Sequence, residues 1–488
     1  MMQALPLCRE VFHHERRLFR ADRLTLIVAL ILLTAIGYAI VNGQSRVNKE
    51  QQAVRTAQTE ELARVQELKA NLAAMNAGTF TPRSAYYNPA NPLWIGNRHA
   101  ATYAVLPSTA LAATAVGQSD LNPPYAKVSA DNKDTFAFNE EIENPSNLLI
   151  GNFDLAFVAV FLLPLLILAL SYNMLSAERE QGTLALTLSN PVPLGALIAG
   201  KLAFRAGLVF FLTVSITVAG LIAAGAPLST MDGAARLGWW TVLIFTYSLF
   251  WFALAMAVNA LGKTSAQNAL ILVGLWIVFL LVLPTLISIA VNVAYPVPSR
   301  TEMVGTIRAA QTNANKEYDA TVARFEQEHT AMTPVPGVLS DDDYAGARKR
   351  VSVQQAAAER TTQVIARYDN QLALQQRIVN GLRFLSPAIL LQEALNDVAG
   401  VGNSRYQHFS RQVDRFHRDW QSFFLPKVFD NMPLTLVDYE RFPAFHYTEQ
   451  SWPELNTRLL GGLLGLLIPI GLLYLFSVRR IRNYPVTE

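Results

Sequence analysis

Six stretches of the chain lose nearly all polar character for about 18 residues or more. They run from Leu24 to Val41, Phe153 to Tyr172, Gly207 to Ala226, Gly238 to Leu261, Ala269 to Val293, and Leu459 to Val478. A helix rises roughly 1.5 Å per residue, so each run is long enough to cross a hydrocarbon core of roughly 30 Å. Lipid offers no partner to a bare backbone amide, so such runs must be helices. The pattern therefore predicts six transmembrane helices, TM1 to TM6, in an all-α polytopic membrane protein.

The polar stretches between them read differently. Residues 3–23 mix Leu5, Leu7, Val11, Phe12 and Leu18 with Arg9, Arg16, Arg17 and Arg20, which predicts a helix lying in the membrane interface. From Ser45 to Ala77, Val54, Leu62, Val65 and Leu68 fall near the helical period and predict a polar helix rising from the membrane. Residues 80–124 are rich in Pro, Asn, Gly and aromatics, and predict irregular structure with short strands. Thr301 to Met332 and Asp341 to Leu385 are helical in pattern, and Thr333-Pro334-Val335-Pro336-Gly337 between them predicts a hairpin turn. Asp341-Asp342-Asp343 suits the first turn of that second arm by matching its dipole. The run Phe384 to Leu391 is too short to span and is expected against the membrane surface or an outer domain.

Composition agrees with this division: 16% of residues are charged, below the roughly 25% of soluble domains, and 51% are apolar. Lys and Arg near span ends stay cytoplasmic. Arg9, Arg16, Arg17, Arg20 and Arg23 flank the first run, and Arg479, Arg480 and Arg482 follow the last. Both termini are therefore expected inside, which requires an even number of spans. Residues 1–23 form the cytoplasmic interfacial helix, 173–206 a cytoplasmic loop and 479–488 a cytoplasmic tail. Residues 42–152 and 294–458 become periplasmic insertions, together building a mostly helical outer domain. The first run exceeds a signal peptide's apolar core and lacks a small-x-small cleavage site, so it reads as an anchor. Cys8 is the single cysteine, so the outer regions hold together without disulfides.

Catalytic patterns are missing. Gly262-Lys263-Thr264 is the nearest fragment to a phosphate-binding loop, but Ala257 occupies the required upstream glycine position and the fragment sits at a span end. His13-His14 and the pair His408 and His417 have no carboxylate or thiolate at ligand spacing, so no metal site is expected. No cofactor, nucleic-acid partner or enzymatic activity is expected of this chain. Pro164, Pro284 and Pro469 lie within apolar runs, where a missing amide permits a kink. Asp154 and Arg205 stand near span ends, where Arg can snorkel, and Trp239-Trp240 is expected as an interfacial anchor.

The most informative polar segment follows the second run. Ala177-Glu178-Arg179-Glu180-Gln181-Gly182-Thr183-Leu184, then Leu188-Ser189-Asn190-Pro191-Val192-Pro193 and Gly200-Lys201, form a compact charged stretch punctuated by Gly and Pro. This segment resembles the cytoplasmic loop of ABC-type-2 exporter permeases. Ala104 to Pro107, Val116-Gly117-Gln118-Ser119-Asp120-Leu121, Phe153 to Phe157, Ser386-Pro387-Ala388 and Gln392 to Leu395 resemble a bacterial subfamily with large insertions between spans 1 and 2 and between spans 5 and 6.

The resemblance implies a half-transporter in the bacterial inner membrane, pairing with a second permease chain, homologous or identical, and docking on two ATPase subunits that hold ATP and Mg. Glu178, Arg179, Glu180, Gly182, Thr183, Pro191 and Lys201 would then form the ATPase-coupling site, with Glu178 and Glu180 meeting positive sites on the ATPase. Gly117, Gln118, Ser119 and Asp120 would be a periplasmic family motif, and the outer domain leaves room for a periplasmic partner. Export, or force transmission to the periplasm, is the expected role. A membrane-anchored periplasmic scaffold or sensor without an ATPase is the alternative.

Overall fold

The first apolar run does not stop where its hydropathy does. In the computed structural model, α1 (Ala4–Ala21) is followed by α2 (Arg23–Asn76), 54 residues of unbroken helix that join the first span to the polar helix expected after it. The structure describes residues 4–21, 23–117, 123–131, 153–189, 193–296, 300–328, 341–482 and 484. Beyond α2 comes an irregular region of short turns with a two-stranded antiparallel ribbon, β1 (Thr102–Val105) and β2 (Tyr125–Val128), pairing Thr102 with Val128. Then follow α3 (residues 155–171), two short helices α4 (Ser176–Glu180) and α5 (Thr183–Leu188), and the long helices α6 (Leu194–Ala223), α7 (Met231–Asn259) and α8 (Ser265–Ala294). The segment between α8 and the last helix contributes α9 (Arg300–Glu328), α10 (Asp341–Leu382), α11 (Pro387–Ala399), α12 (Asn403–Phe429) and α13 (Leu436–Glu440). Helix α14 (Trp452–Ile481) closes the bundle.

Among the described residues, six helices are long and apolar enough to cross a membrane: α2, the stretch from α3 through α4, α6, α7, α8 and α14. The chain is an all-α, multi-pass membrane protein. Helix α7 is the central one. Its apolar window is 72% buried, against 22% for α6 and α14 and 17% for α8, whose outer faces carry exposed Phe211, Leu270 and Ile468. Trp240 is fully buried in that core and Trp239 donates from Nε1 to Asn456 Oδ1 of α14 (3.0 Å). Trp240 is thus part of the packed bundle, while Trp239 is half-buried beside it.

Two spans carry the same irregularity. Val158–Leu162 in α3 and Val278–Val282 in α8 widen to a π turn, each followed by Leu-Pro, at Pro164 and Pro284. A proline has no N–H for the carbonyl four residues back, which for Pro164 is that of Val160. Tyr247 Oη of α7 donates to that carbonyl instead (2.9 Å). Trp276 Nε1 likewise donates to the Phe161 carbonyl (3.3 Å), and Ser386 Oγ to that of Phe279 (2.9 Å).

A second core lies beyond the bundle and draws on the segments before α3 and between α8 and α14. Phe409, Phe416, Trp420 and Phe424 fall on one face of α12 and pack with Leu72 of α2, Ile95, Ala104 of β1 and Tyr439 of α13. Trp420 Nε1 donates to the Gly96 carbonyl (3.0 Å), and His417 Nε2 bonds the Asp131 carbonyl (2.7 Å). His408 Nε2 bonds the Thr448 carbonyl (2.9 Å). Helices α9 and α10 pair antiparallel through Ala314, Val353 and Ala357 and through ion pairs Asp319–Lys349 and Glu317–Arg360. The turn at 333–337 lies outside the described residues.

The joint between the two cores is α11. Ala388, Leu391, Leu395 and Val398 bury themselves in the bundle core against α7 and α14. The short apolar run thus enters the bundle, and only Phe384 and Leu385 before it stay exposed. Ser386 caps α11 by accepting from the Ile389 N–H (3.4 Å). Asp154 is the equivalent cap of α3: Oδ1 accepts from the Phe157 N–H and Oδ2 from the Val116 N–H, both at 2.7 Å. Gly117 stands at φ +56°, and a Cβ there would lie 2.6 Å from Val401 Cγ2. Two separate stretches of the sequence resemblance, around 117 and 154, therefore meet beside the end of α11. Gln118, Ser119 and Asp120 lie outside the described residues.

Candidate functional site

At the opposite end of the bundle, α4 and α5 form an elbow. Helix α4 stops at Gln181 because Gly182 takes a left-handed conformation (φ +70°), in which L side chains are strained. The chain then turns into α5, and Thr183 Oγ1 donates back to the Glu178 carbonyl (3.1 Å). Leu184 of α5 packs with Met174, Leu175, Leu197, Ile198 and Met256, so the elbow has its own small apolar seat.

Polar side chains tie this elbow to its neighbours. Glu178 accepts from Lys201 Nζ of α6 (2.5 Å). Arg179, 9% exposed, donates to the Gly262 carbonyl in the turn between α7 and α8 (2.6 Å) and lies over the Tyr484 ring beyond α14. Glu180 accepts from the N–H and the hydroxyl of Ser265 at the start of α8 (2.6 and 2.8 Å), placing its charge at the positive end of that helix. Asn259 of α7, wholly buried, donates to the Ser171 carbonyl (3.0 Å) and accepts from the Leu175 N–H (3.3 Å). Ser176 Oγ and Ser265 Oγ are 2.9 Å apart. Burial pushes the Tyr484 phenol above its ordinary range, against the opposing pull of Arg179.

Beneath the elbow sits a buried charge cluster. Glu15 of α1 is 2% exposed, Lys201 3% and Arg205 9%. Arg205 donates from Nε and Nη2 to Glu15 Oε2 (3.3 Å each) and from Nη1 to the Leu170 carbonyl of α3 (2.5 Å). Lys201 Nζ reaches the Met174 carbonyl (3.2 Å) and stands 3.9 Å from Glu15 Oε1. Two carboxylates thus face two cations, which offsets a desolvation cost that a lone buried ion would not survive. Phe12 of α1 packs edge-on to Phe204 of α6 (5.2 Å between centroids).

Several expected residues find their places here. The connector 173–206 is largely helical: α4, α5 and the first turns of α6 occupy most of it. Glu178 and Glu180, expected to meet an ATPase, also hold bonds within the chain, and Glu180 stays exposed. Arg205 is buried by Glu15 and does not snorkel. Lys201 belongs to a helix and pairs with Glu178, while Pro191 lies outside the described residues. What the elbow exposes is Glu180, Gln181, Gly182, Thr183, Ala185, Leu186 and Ser189, with Leu186 72% exposed.

Sequence reasoning missed Glu15, Asn259 and Ser265. Glu15 left one signal, an acid set directly before Arg16 and Arg17 in a basic helix. Gly262-Lys263-Thr264, set aside as a failed phosphate loop, is instead the receiving turn. Gly262 adopts φ +69° and Thr264 forms a capping box with Gln267.

Two comparisons with known proteins add to this geometry. A family model described as Domain of unknown function (DUF3526) matches residues 300–448, from α9 to beyond α13. The chain is also similar to the probable ABC transporter permease protein NosY of Stutzerimonas stutzeri, with 33% identity over 135 residues. That match covers 26% of this chain and 48% of the other, so it spans about half the length of the curated relative.

Proposed function

We propose that this chain is the permease subunit of an ATP-binding-cassette exporter, driven by a separate ATPase that docks on the α4–α5 elbow. The observation that carries the reading is the bracing of one exposed elbow to α6, to the α7–α8 turn and to the residue following α14. Displacement of such an elbow moves the helices it grips. Glu178 and Arg179 serve inward, as part of the grip, while the outward face sets Leu186 among the exposed polar residues Glu180, Gln181 and Thr183. An apolar contact surface rimmed by polar residues suits a protein partner. Similarity to a probable permease supports the class.

On this reading the elbow, α1 and the residues after α14 are cytoplasmic, and the second core and the α9–α10 pair are periplasmic. Two ATPase copies and a second permease complete the assembly in the bacterial inner membrane, and ATP and Mg belong to the ATPase. The chain moves cargo or transmits force to the periplasm through α2 and α11, which join both cores. A scaffold without an ATPase would need no such elbow.

The test is affinity purification of the full chain from its native membranes in mild detergent, with mass spectrometry of what accompanies it. A P-loop ATPase is expected, and Leu186→Asp should deplete it at least about tenfold, a loss of roughly 1.4 kcal/mol, without lowering the melting temperature of the permease. Absence of any P-loop protein from the wild-type preparation sinks the proposal.

A further inference from the structure

A cavity of about 300 Å³ opens where α2 leaves the bundle, at the lower end of the roughly 300–1,000 Å³ range of ligand sites. It has three walls. Arg46, Glu50, Val54 and Gln58 recur every four residues and form one stripe of α2. The second wall is the segment 105–109 leaving β1, and the third is the turn 400–402 with Arg405 and Tyr406 of α12.

Hydrogen bonds fix these walls to one another before anything binds. Thr109 Oγ1 donates to the Ala399 carbonyl (2.6 Å) and Arg405 Nη2 to that of Pro107 (2.8 Å). Gln51 Nε2 donates to Ser108 Oγ (2.9 Å), and Arg46 Nη2 to the Ala112 carbonyl (2.8 Å). Gly400 sits at φ +74° with Thr109 Cγ2 only 2.2 Å from where a Cβ would stand, so the seam closes only around a glycine.

The charges in the walls do not cancel. Arg46 pairs with Glu50 (2.6 Å) and Arg405 with Glu449 (2.6 Å). The guanidinium of Arg55, exposed at the rim, has no hydrogen-bond or ion-pair partner among the described residues. One cation is therefore left over beside a partly buried apolar lining of Val54, Leu106 and Val401. A guanidinium binds carboxylate or phosphate oxygens as a planar fork.

We propose that this cavity is a binding site for a small anionic amphiphile, whose carboxylate or phosphate pairs with Arg55 while its apolar body lies on Val54, Leu106 and Val401. The site is independent of the elbow and of any ATPase docking there. Such an anion comes either from a soluble acid or from a lipid headgroup, since the cavity adjoins the end of a membrane-spanning segment.

The test uses the full chain in nanodiscs of zwitterionic phosphatidylcholine, titrated calorimetrically with hexanoate and with its neutral analogue hexanamide, empty nanodiscs giving the partition baseline. Saturable hexanoate binding at least about tenfold tighter than hexanamide is expected. Arg55→Gln and Gln58→Glu, both exposed positions, should each remove that preference and leave the melting temperature unchanged. Loss of hexanoate binding in nanodiscs containing phosphatidylglycerol would support the site with lipid as the source; persistence would support it with a soluble acid. No saturable binding, equal binding of the two probes, or an unchanged preference in Arg55→Gln overturns the proposal.

Discussion

Arg405 reaches out of α12 and grips Glu449 by both carboxylate oxygens, with Nε at 2.9 and 3.0 Å and Nη2 at 2.6 Å. Burial alone would raise the Glu449 pKa, but the Arg405 bonds and charge outweigh it and hold the carboxyl below its ordinary range. The unfolded chain then binds the proton more tightly than the folded one. The stabilisation is complete above the unfolded glutamate pKa, about 4.3, and is lost as the pH falls through the lower folded value. The melting temperature of the purified protein should therefore drop below about pH 4.3. Arg405→Gln should melt lower at neutral pH and respond less to acid, and an identical acid response in that variant would contradict this account. At this scale the sequence shows which residues are charged and hides what they face. Asp154 is readable as a cap because its first partner is three residues away. Glu178 and Lys201 are 23 positions apart, and Glu15 and Arg205 are 190 apart, so only the fold brings them together.

Element length was legible where solvent changes and illegible where it does not. The six apolar runs mark their spans because lipid demands them, and the spacing of Val54, Leu62, Val65 and Leu68 marks a helix beyond the first, but nothing in hydropathy shows that α2 runs unbroken for some 35 residues past Val41. Helical backbone bonds do not depend on whether water or lipid lies outside. The same helix offers a contrast between two glycines. A Cβ on Gly37 would meet nothing within 4 Å, whereas one on Gly43 would stand 1.9 Å from the Ala113 carbonyl oxygen, a backbone atom that cannot turn aside. Gly43→Ala should destabilise the protein by about 1–3 kcal/mol through overpacking, while Gly37→Ala should be neutral or slightly stabilising, by up to about 1 kcal/mol. Thermal melts of the two variants in nanodiscs decide it, and equal melting temperatures would show that the 112–114 turn yields freely. The run Phe384 to Leu391 was expected at a surface for a related reason: it is too short to cross lipid, but the helix it opens, α11, is not too short to be swallowed by a bundle.

For the whole molecule, the elbow and the second core lie at opposite ends of six helices, and the proposed function needs them on opposite sides of the membrane. Cysteine labelling reads this directly in a Cys8→Ser background. Ser189→Cys at the elbow should react with a membrane-impermeant maleimide only after the cells are opened, and Arg441→Cys beside α13 should react in intact spheroplasts. Labelling of Ser189→Cys from outside would invert the topology and remove the elbow from any cytoplasmic ATPase.

The paired π turns of α3 and α8 bear on how such a bundle can move. Their displaced carbonyls are held by hydroxyl and indole donors rooted in other helices: Tyr247 of α7 and Trp276 of α8 on α3, Ser386 at the head of α11 on α8. Neither span can slide along its neighbour while those donors stay in place, and α3 cannot straighten fully, because Pro164 supplies no amide to the Val160 carbonyl. Sliding and release are therefore a single event, and the bundle has stops instead of a continuous glide.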